Sequence, residues 1–486
     1  MRRFVIVGGD AAAWLGALTL QAAGAGDVTV VELPGRLREA DIYPSLPALA
    51  AFHRRLGIDE ARLLRAVRGA CTLGQDLHNF SGGGSRFFHA YGPTGAPIRQ
   101  TAFAPFYIRA RKLGLSVAWE DFNLTAAAAR QDRLLTPGES GDGFADAGYG
   151  YHLPAAAYVA ALREQAIRGG AKVVAARETG AEIGADGAIA AVTTQAGQSV
   201  AGDLFIDASG PDGALLHGAL GTPFRSWRRW FAADRMMAAS APRLPRLPPY
   251  AQVRALTNGW LAMYAAQDRT RLLYVYEGRL SRDDEALQAM RVVSNLRLED
   301  AVLSTLEPGR AEAAWVKNCV AIGEAACVFD PIDSPALHAV QSGLAHLAAL
   351  LPQGLAGAAA YNAALTATFD RIRDFQLVHS LCNRHHGGAF WNAARQAEAP
   401  EELARRLEGF VRDGTLDRAP YETFSPDSWR TLLLGHGVTP RAYAPDADSL
   451  SDAELAVELS HMLSRIRRKV EPLASHDAWL EMFCEA

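Results

Sequence analysis

Four residues near the start of the chain, Gly8, Asp10, Ala13 and Glu32, have the spacing of a dinucleotide-binding turn. Such a site joins a buried strand to a helix, with glycines at three positions of the turn and an acidic residue about 20 positions later. Gly8 and Gly9 form the tight turn here, and Glu32 ends a second apolar strand, where it would meet a ribose hydroxyl. The pattern predicts that these residues surround the pyrophosphate and ribose of a cofactor.

Asp10 occupies the second glycine position, which normally lets the backbone approach the pyrophosphate, and Ala13 occupies the third. Each like-charge pair between a carboxylate and a phosphate about 5 Å apart costs about 3 kcal/mol at an effective dielectric constant of about 20. Asp10 also stands where a helix N-cap belongs, so its oxygens can accept the N–H groups that a phosphate otherwise takes. Two interpretations follow: Asp10 caps an empty helix end, or a dinucleotide binds in a shifted position.

Strands and helices alternate around this turn, which predicts an α/β fold. The apolar runs 4–7 and 28–31 are typical of buried parallel strands, and 11–20 is typical of a buried helix. The remaining predicted elements are a helix beginning near Pro44, a β-hairpin or ordered loop over 80–97, a surface loop over 137–150, a helix over 155–168, strands over 172–175, 182–184, 189–193, 203–207 and 318–322, mainly strands over 227–280, a helix over 336–351, and helices from 358 onward, one of them beginning at the capping box Ser451-x-x-Glu454.

Composition and charge exclude several classes of protein. The 486 residues are 49% apolar and 21% charged, which is ordinary globular composition with enough length for a large core. A net charge of −4 without a basic stripe argues against nucleic acid as a partner. Five scattered cysteines, none in a CxxC motif, are typical of a reduced protein and argue against a disulfide framework or a zinc site.

Two further features predict a cytoplasmic protein that is not inserted in a membrane. The first strand begins at residue 3, which leaves no room for a signal peptide. We also find no apolar run of membrane-spanning length in the sequence. The sequence therefore predicts a cytoplasmic location, without a membrane, a nucleic acid or a metal ion as partner.

Several segments occur in the order found in flavin-dependent tryptophan halogenases. They are FVIVGGDAAAW at 4–14, RRLGIDE at 54–60, GALGTPF at 218–224, GW at 259–260, WVKNCVAIGEAACVFDP at 315–331 and YNAALTATFDRIRDF at 361–375. The chain resembles this family from residue 1 to about 440. The resemblance implies a flavoprotein-monooxygenase-like fold, with an FAD-binding Rossmann-like module, a β-rich substrate module and a helical C-terminal part. The implied boundaries are a core of 1–355, in which 80–150 and 225–310 form substrate-side insertions, and a helical region of 356–486.

The resemblance also implies a chemistry and a set of site residues. In this family reduced FAD meets O2, chloride attacks the flavin peroxide, and hypohalous acid passes down a tunnel to a lysine. The lysine and a glutamate direct the halogen onto an indole or similar arene, and a separate reductase supplies the reduced flavin. The implied residues are Gly8, Gly9, Asp10, Ala13, Glu32, Gly323, Asp330, Pro331 and Ser334 for FAD, Asp333 for catalysis, and Trp260 and Tyr264 for the substrate pocket.

The chain departs from the family where the chemistry is done. Thr72 stands at the position of the catalytic lysine, and a hydroxyl neither forms a haloamine nor carries a charge. The family's Glu-Ser-Thr-Gly segment is Asp333-Ser334-Pro335-Ala336, in which the carboxylate is one methylene shorter and Pro335 removes an N–H that would hold chloride. The flavin strap is altered over 38–44, and only Trp260 remains of a Trp-x-Trp motif. With Asp10 these are five departures, so FAD binding is expected to be weakened.

Four other candidates have both a functional and a structural interpretation. Asp333 is either a base or the N-cap of the next helix, and the N-cap is favoured because the lysine is absent; Glu324 is either a general acid or a contact of the ribityl hydroxyls. The adjacent histidines 385 and 386 point about 100° apart on a helix, which favours packing over metal binding. The aromatic and basic segment 224–231 is either a partner surface or part of the core, and core packing is favoured.

Three functions remain open, and one is favoured. The favoured function is a non-halogenating pseudoenzyme or binding subunit that pairs with an active halogenase-like paralogue or a flavin reductase. The second is an FAD-dependent aromatic monooxygenase or oxidase without halide chemistry, because a flavin hydroperoxide can hydroxylate an electron-rich ring directly. The third is a halogenase of an indole-type substrate in which another residue replaces the lysine. A small aromatic ligand is compatible with all three.

Overall fold

The computed structural model describes residues 2–137, 148–385 and 387–485. The predicted surface loop over 137–150 therefore lies largely outside the described residues, as does His386. The chain forms two compact units: unit 1 consists of 1–69, 153–234 and 304–373, and unit 2 consists of 70–152, 235–303 and 374–486. The predicted division into a core of 1–355 and a helical region of 356–486 stays a prediction.

Unit 1 is built on a six-stranded sheet with the predicted N-terminal strand near its centre. Strand Arg2–Gly8 pairs in parallel with Gly26–Glu32 on one side and Leu204–Ala208 on the other. The order across the sheet is 315–316, 319–321, 204–208, 2–8, 26–32 and 172–175. Crossover connections between parallel strands place helices on the faces of such a sheet, which explains the continuous apolar runs in the sequence. The predicted α/β fold class is confirmed.

Helix Ala11–Ala22 follows the first strand and is buried from Ala11 to Leu20. It packs against helices Ala155–Arg168 and Ala336–Leu350. A helix that is apolar on all sides belongs in a core. The other elements of unit 1 are strands Ile42–Pro44, Thr179–Ile183, Ile189–Thr194, Ser199–Ala201, Phe224–Ser226, Gly309–Ala311 and Cys327–Val328, and helices Ala48–Arg55, Glu60–Val67, Ala214–Ala219, Gly323–Ala325, Leu351–Gly357 and Ala358–Leu381, the last of which continues into unit 2.

Unit 2 is organised around a seven-stranded sheet. Its order is 299–305, 235–242, 269–276, 259–265, 251–256, 74–78 and 86–90. Helix Asp283–Ser294 packs through Ala286 and Met290 on the sheet face that carries Leu261 and Tyr274. The remaining elements are strands Ala70–Thr72 and Gly150–Pro154, and helices Phe103–Lys112, Trp119–Phe122, Leu124–Ala129, Ala389–Gln396, Glu401–Asp413, Pro426–Gly435, Pro445–Ser449, Asp452–Val470 and His476–Glu485.

Most predicted elements occur within a few residues of their predicted bounds, and two local differences have a physical reason. The helix expected near Pro44 begins at Ala48, because 42–44 are used as a strand. Strand Arg86–Ala90 is the strand that forms within 80–97, and its antiparallel partner Gly74–His78 precedes that range, so the hairpin begins earlier in the chain than predicted. The capping box is confirmed, since the Glu454 carboxylate accepts the Ser451 N–H at 2.7 Å.

One helical stretch among the described residues, Ala336–Leu381, is long and apolar enough to cross a membrane by length and composition alone. This stretch differs from the sequence-based expectation that no apolar run reaches membrane-spanning length. Gly354, with φ 59° and ψ −142°, breaks the helix and leaves the two shorter helices Ala336–Leu350 and Ala358–Leu381. Arg373 and Asp374, which are both buried, lie in the second helix.

Candidate functional site

The N-terminus of helix Ala11–Ala22 is capped by the protein itself. Asp10 has an extended backbone, and its Oδ1 accepts the Ala12 N–H at 3.0 Å. The predicted N-cap role of Asp10 is therefore confirmed. Its carboxylate takes up one of the N–H groups that the first turn of a helix offers to an anion.

Gly8 and Gly9 are required for packing of the backbone in unit 1. A Cβ on Gly8 would lie 2.2 Å from the Ala208 carbonyl oxygen, and one on Gly9 would lie 2.3 Å from the Leu33 carbonyl oxygen. Ala13 is fully buried within the helix. These three positions therefore have a structural reason for small residues that is independent of any cofactor.

Glu32 ends the second strand, as predicted, and is paired with Arg163 of helix Ala155–Arg168. The carboxylate accepts hydrogen bonds from Nε at 2.6 Å and from Nη2 at 2.9 Å. The same guanidinium lies 5.6 Å from the centroid of the Trp14 ring. A ribose hydroxyl at this position would compete with a bidentate, charge-assisted pair. Arg163 was not predicted from the sequence, because nothing in the residue spacing of a helix indicates which strand end it faces.

Two acidic side chains, Asp10 and Glu324, lie close together at the capped end of helix Ala11–Ala22. Loss of hydration raises the pKa of Asp10. Loss of hydration among crowded neighbours, and next the Asp10 carboxylate, raise the pKa of Glu324 to about 7, although its side chain reaches solvent. Burial, followed by the charges of Asp10 and Glu324, raises the pKa of Tyr43 well above its usual value. Arg36 offsets this negative charge in part, but it also pairs with Asp212 at 2.8 Å.

The segment at the family's halide position has an unusual backbone. Asp333 and Ser334 are both buried and both have left-handed conformations, with φ of 62° and 58°. Asp330 precedes them and its Oδ1 accepts the Ile332 N–H at 3.0 Å. The following helix has Pro335 at its N-cap, so the prediction that Asp333 is the N-cap is wrong. The physical reason is that the turn continues for two residues beyond Asp333 before helical geometry begins.

In unit 2, Thr72 ends the short strand Ala70–Thr72 and is buried. Its hydroxyl donates to the Gly74 carbonyl oxygen at 3.1 Å, so the side chain is turned back onto its own chain. A threonine at this position supplies neither an amine nor a positive charge.

Trp260 and Tyr264, the predicted pocket residues, lie on one face of strand Gly259–Ala265 and are buried. Their face is opposite to the one covered by helix Asp283–Ser294, because side chains alternate along a strand. The Tyr264 ring meets the His152 ring edge-on at a centroid distance of 5.3 Å. His152 was not identified from the sequence, since a single histidine in an apolar strand carries no spacing signal.

The other candidates are structural. Trp227, Trp230 and Phe231 are buried, which confirms the core-packing interpretation of 224–231. Arg229 and Arg373 lie 3.8 and 4.6 Å from the centroid of Trp230. His385 is buried against Trp391, whereas His386 lies outside the described residues. Within 2–137, 148–385 and 387–485, we find no group of three His, Cys, Asp or Glu side chains that could hold a metal ion.

The central parallel sheet, the strand–turn–helix at its centre and the antiparallel sheet of unit 2 define an FAD-binding, flavoprotein-monooxygenase-like class of fold. Residues 3–452 match the family described as "Tryptophan halogenase". The chain belongs to this family.

Two solved structures and two curated proteins illustrate the relationship. BrvH, a flavin-dependent halogenase from Brevundimonas sp. BAL3, is 28% identical with a TM-score of 0.92, and each chain covers 99% of the other. Xcc4156, a flavin-dependent halogenase from Xanthomonas campestris, is 29% identical with a TM-score of 0.95, over 99% of this chain and 98% of that one. Tryptophan 7-halogenase RebH of Lentzea aerocolonigenes is 25% identical over 97% of both chains. Tryptophan 6-halogenase SttH of Streptomyces toxytricini is 28% identical, and the match spans 67% of this chain and 65% of SttH.

Family membership, with relatives described as flavin-dependent halogenases, implies FAD as the cofactor of the family. The predicted FAD-binding class and the predicted family are thereby confirmed.

Proposed function

We propose that this chain is a non-halogenating member of the flavin-dependent halogenase superfamily, acting as a pseudoenzyme or binding subunit. The observation that carries the proposal is the Asp10 carboxylate at the N-terminus of the central helix, where it accepts the Ala12 N–H. A bound pyrophosphate would have to displace this hydrogen bond and stand beside a second acidic residue, Glu324. The residues present therefore do not fit FAD bound with its pyrophosphate at this helix end.

The magnitude of this effect supports weak binding. A phosphate about 5 Å from one carboxylate is disfavoured by about 3 kcal/mol, which corresponds to roughly 100-fold in affinity. The bidentate Arg163 contact to Glu32 would compete with a ribose hydroxyl for the same carboxylate. We therefore propose that the FAD site is degraded and that any flavin affinity is low.

The halide and lysine positions support the loss of halogenation. Thr72 provides no amine, and its hydroxyl is already donated to the Gly74 carbonyl oxygen. Pro335 has no N–H to offer a halide, and the carboxylate at 333 belongs to aspartate instead of glutamate. We therefore propose that Asp333 is a carboxylate kept from the family's catalytic segment, in a chain that no longer has the lysine.

An FAD-dependent aromatic monooxygenase or oxidase is the second candidate, and one observation favours it. Gly323 keeps a left-handed φ of 63° and approaches helix Ala11–Ala22, where an added Cβ would lie 2.9 Å from the Ala12 Cβ. This close approach requires glycine at 323 and so fixes the backbone next to Glu324. With a pKa of about 7, the Glu324 carboxyl can be neutral near pH 7, which lessens its repulsion of an anionic cofactor.

Halogenation is the third candidate, because the relatives named above are halogenases. Product analysis tests this candidate. Wild type and Thr72→Lys are supplied with a flavin reductase, FAD, NADH, chloride and indole. We expect no chlorinated indole from either variant, because the halide segment is altered as well. Halide-dependent chlorination by wild type would overturn the proposal.

The proposal includes a partner and a location. A flavin reductase or an active halogenase-like paralogue is the partner class, an indole-like aromatic compound is the ligand class, and the location is the cytoplasm. The catalytic positions are altered while the family's fold is kept. This combination favours a role in binding over a role in catalysis.

Calorimetric titration of FAD into wild type, Asp10→Gly and Asp59→Gly tests the central claim. Asp59 is a matched control, because it also caps a helix, accepting the Arg62 N–H at 2.7 Å, but at the start of helix Glu60–Val67. We expect no measurable binding by wild type or Asp59→Gly and measurable binding by Asp10→Gly, at least tenfold tighter than the weakest affinity that the titration detects. Tight binding of FAD by wild type would overturn the pseudoenzyme proposal and favour the monooxygenase or oxidase.

A further inference from the structure

The arginines in the strands of the seven-stranded sheet of unit 2 are ion-paired, with one exception. The paired arginines and their carboxylate partners are Arg86 with Asp76, Arg235 with Asp283, Arg269 with Glu299, and Arg271 with Asp268. The exception is Arg254, in strand Ala251–Leu256. Its side chain is exposed, and its guanidinium has no hydrogen bond or ion pair among the residues that the structure describes.

The neighbours of Arg254 across the sheet are polar. Arg254 is opposite His78 in the parallel pairing of strands Ala251–Leu256 and Gly74–His78, and His78 is opposite Arg86 in the next, antiparallel pairing. Paired residues of adjacent strands point to the same face of a sheet, with the strands about 5 Å apart. The side chains of Arg254, His78 and Arg86 therefore form a row across three strands.

Asp76 lies beside this row, on the same face as His78, and only 2% of its side chain is accessible. Its carboxylate accepts the Nε–H of Arg86 at 2.8 Å and lies 2.9 Å from Nε2 of His78. Loss of hydration raises the pKa of Asp76, but the hydrogen bonds from His78 and Arg86 outweigh it and hold the pKa below its usual value. The carboxylate is therefore ionised at neutral pH and orients both neighbours.

The contact with Asp76 fixes the orientation of the His78 ring. An ionised carboxylate only accepts hydrogen bonds, so Nε2 carries a proton and donates it to Asp76. The other nitrogen, Nδ1, has no partner within the described part of the chain, and 23% of the His78 side chain is accessible. When the ring is protonated, Nδ1 also carries a hydrogen and becomes a second donor.

The charges of these side chains do not cancel. The Asp76 carboxylate and the Arg86 guanidinium neutralise each other, whereas the Arg254 guanidinium keeps its full charge. A guanidinium has five N–H donors and no acceptor, and its planar shape matches a carboxylate or a phosphate group. The group that would complete this row is therefore an acceptor with a negative charge.

The row can be reached from solvent. Arg254 is exposed, and 48% of the Arg86 side chain is accessible. Helix Asp283–Ser294 packs on the same face of the sheet through Leu261, which is the partner of Arg254 on the next strand. The helix thus covers the sheet on one side of Arg254, whereas His78 and Arg86, on the other side, remain accessible.

We propose that Arg254 and His78 form a binding site for an oxyanion, namely the phosphate or carboxylate group of a ligand. Arg254 supplies the positive charge and two parallel N–H donors, and Nδ1 of His78 supplies a further donor when the ring is protonated. Asp76 and Arg86 are positioning residues, because Asp76 orients the imidazole and Arg86 holds Asp76. Every residue of the site belongs to unit 2, so the inference goes beyond the proposed function and does not depend on FAD.

Nuclear magnetic resonance of the full chain, labelled with carbon-13 at Cε1 of histidine, tests the site. The His78 signal is assigned by its absence from the spectrum of His78→Gln. Sodium sulfate, a tetrahedral substitute for a phosphate group, and sodium acetate are titrated separately at pH 6.5 and constant ionic strength. We expect at least one anion to shift the His78 signal to saturation, while the signal of the fully buried His476 stays in place.

Two arginine substitutions assign the binding to one side chain. Arg254→Gln should weaken binding of the anion by at least about fivefold, because it removes a charge-assisted contact. Arg291→Gln is the matched control. Arg291 is also exposed and makes no side-chain ion pair in the described part of unit 2, but it lies in helix Asp283–Ser294. We expect its dissociation constants to equal those of wild type.

The outcomes separate the proposal from its alternatives. Tighter binding of sulfate would identify a phosphate group as the ligand, and tighter binding of acetate would identify a carboxylate. The absence of a saturable shift with both anions, or an unchanged affinity in Arg254→Gln, would overturn the oxyanion site. The FAD titration involves none of these residues, so flavin binding by wild type would overturn the proposed function and leave this result intact.

Discussion

The Glu32 carboxylate accepts hydrogen bonds from both Nε and Nη2 of Arg163, at 2.6 and 2.9 Å. A residue that the sequence assigns to a ribose is thus used to join the end of a central strand to helix Ala155–Arg168. The pair is only partly exposed, with 23% of the Glu32 side chain and 42% of the Arg163 side chain accessible. Its contribution to folding is therefore measurable.

A double-mutant cycle with Glu32→Gln and Arg163→Met is expected to give a coupling energy of about 0.5–1 kcal/mol. This is the usual range for a partly exposed ion pair, and the bidentate geometry favours its upper end. Urea denaturation of the four proteins measures it. Strictly additive effects would mean that the two side chains do not interact in solution.

Gly8→Ala is expected to lower the free energy of unfolding by more than about 3 kcal/mol or to prevent folding. The added Cβ would lie 2.2 Å from the Ala208 carbonyl oxygen in the centre of the sheet. Gly24→Ala is the matched control, since Gly24 has φ 58° but no atom within 4 Å of the added Cβ. It should cost about 1 kcal/mol, the price of the left-handed backbone alone. Similar losses in both variants would contradict the close approach.

His53 makes stability fall with decreasing pH. Burial lowers its pKa to about 4, against about 6.5 in the unfolded chain, and its Nε2 lies 2.7 Å from the Tyr158 hydroxyl. Between these two pKa values the unfolded state binds more protons at His53 than the folded state does. The contribution of His53 to the free energy of unfolding is therefore fully present above about pH 6.5 and is lost as the pH falls towards 4.

Replacing His53 by Gln should reduce the loss of stability between pH 7.5 and 5.5 by about 1 kcal/mol. Urea titrations at both pH values measure the difference. Tyr158→Phe keeps the buried imidazole and should retain the pH dependence of wild type. If His53→Gln and wild type have the same dependence, His53 does not titrate as its burial implies.

Glu324 is expected to make any dinucleotide binding at the central helix pH-dependent. Its pKa is raised to about 7, chiefly by loss of hydration among crowded neighbours and next by Asp10, so it is ionised at pH 8 and largely neutral at pH 6. In the Asp10→Gly background, where the crowding remains, FAD should bind roughly 3- to 10-fold more tightly at pH 6 than at pH 8. Adding Glu324→Gln should remove this difference, as measured by calorimetry. A pH effect that survives the substitution would have to come from another group.

Much of unit 1 could be predicted from the sequence, because local pattern determines its elements. Continuous apolar runs gave the parallel strands, and the position of Asp10 before an apolar helix predicted its capping bond. Asp333 was misassigned as an N-cap for the opposite reason. Two consecutive left-handed residues before Pro335 depend on the surrounding packing, and sequence pattern does not encode them.

The sequence by itself determined the family, the α/β sheet and the absence of a lysine at position 72, since these depend on residue identity and short-range order. Only the tertiary structure decided which distant side chains meet. Arg163 reaches Glu32 across 131 positions, and His152 reaches the Ala265 carbonyl across 113. Such pairs form because strands and helices far apart in sequence are packed together, and a hydrogen bond depends on that distance in space.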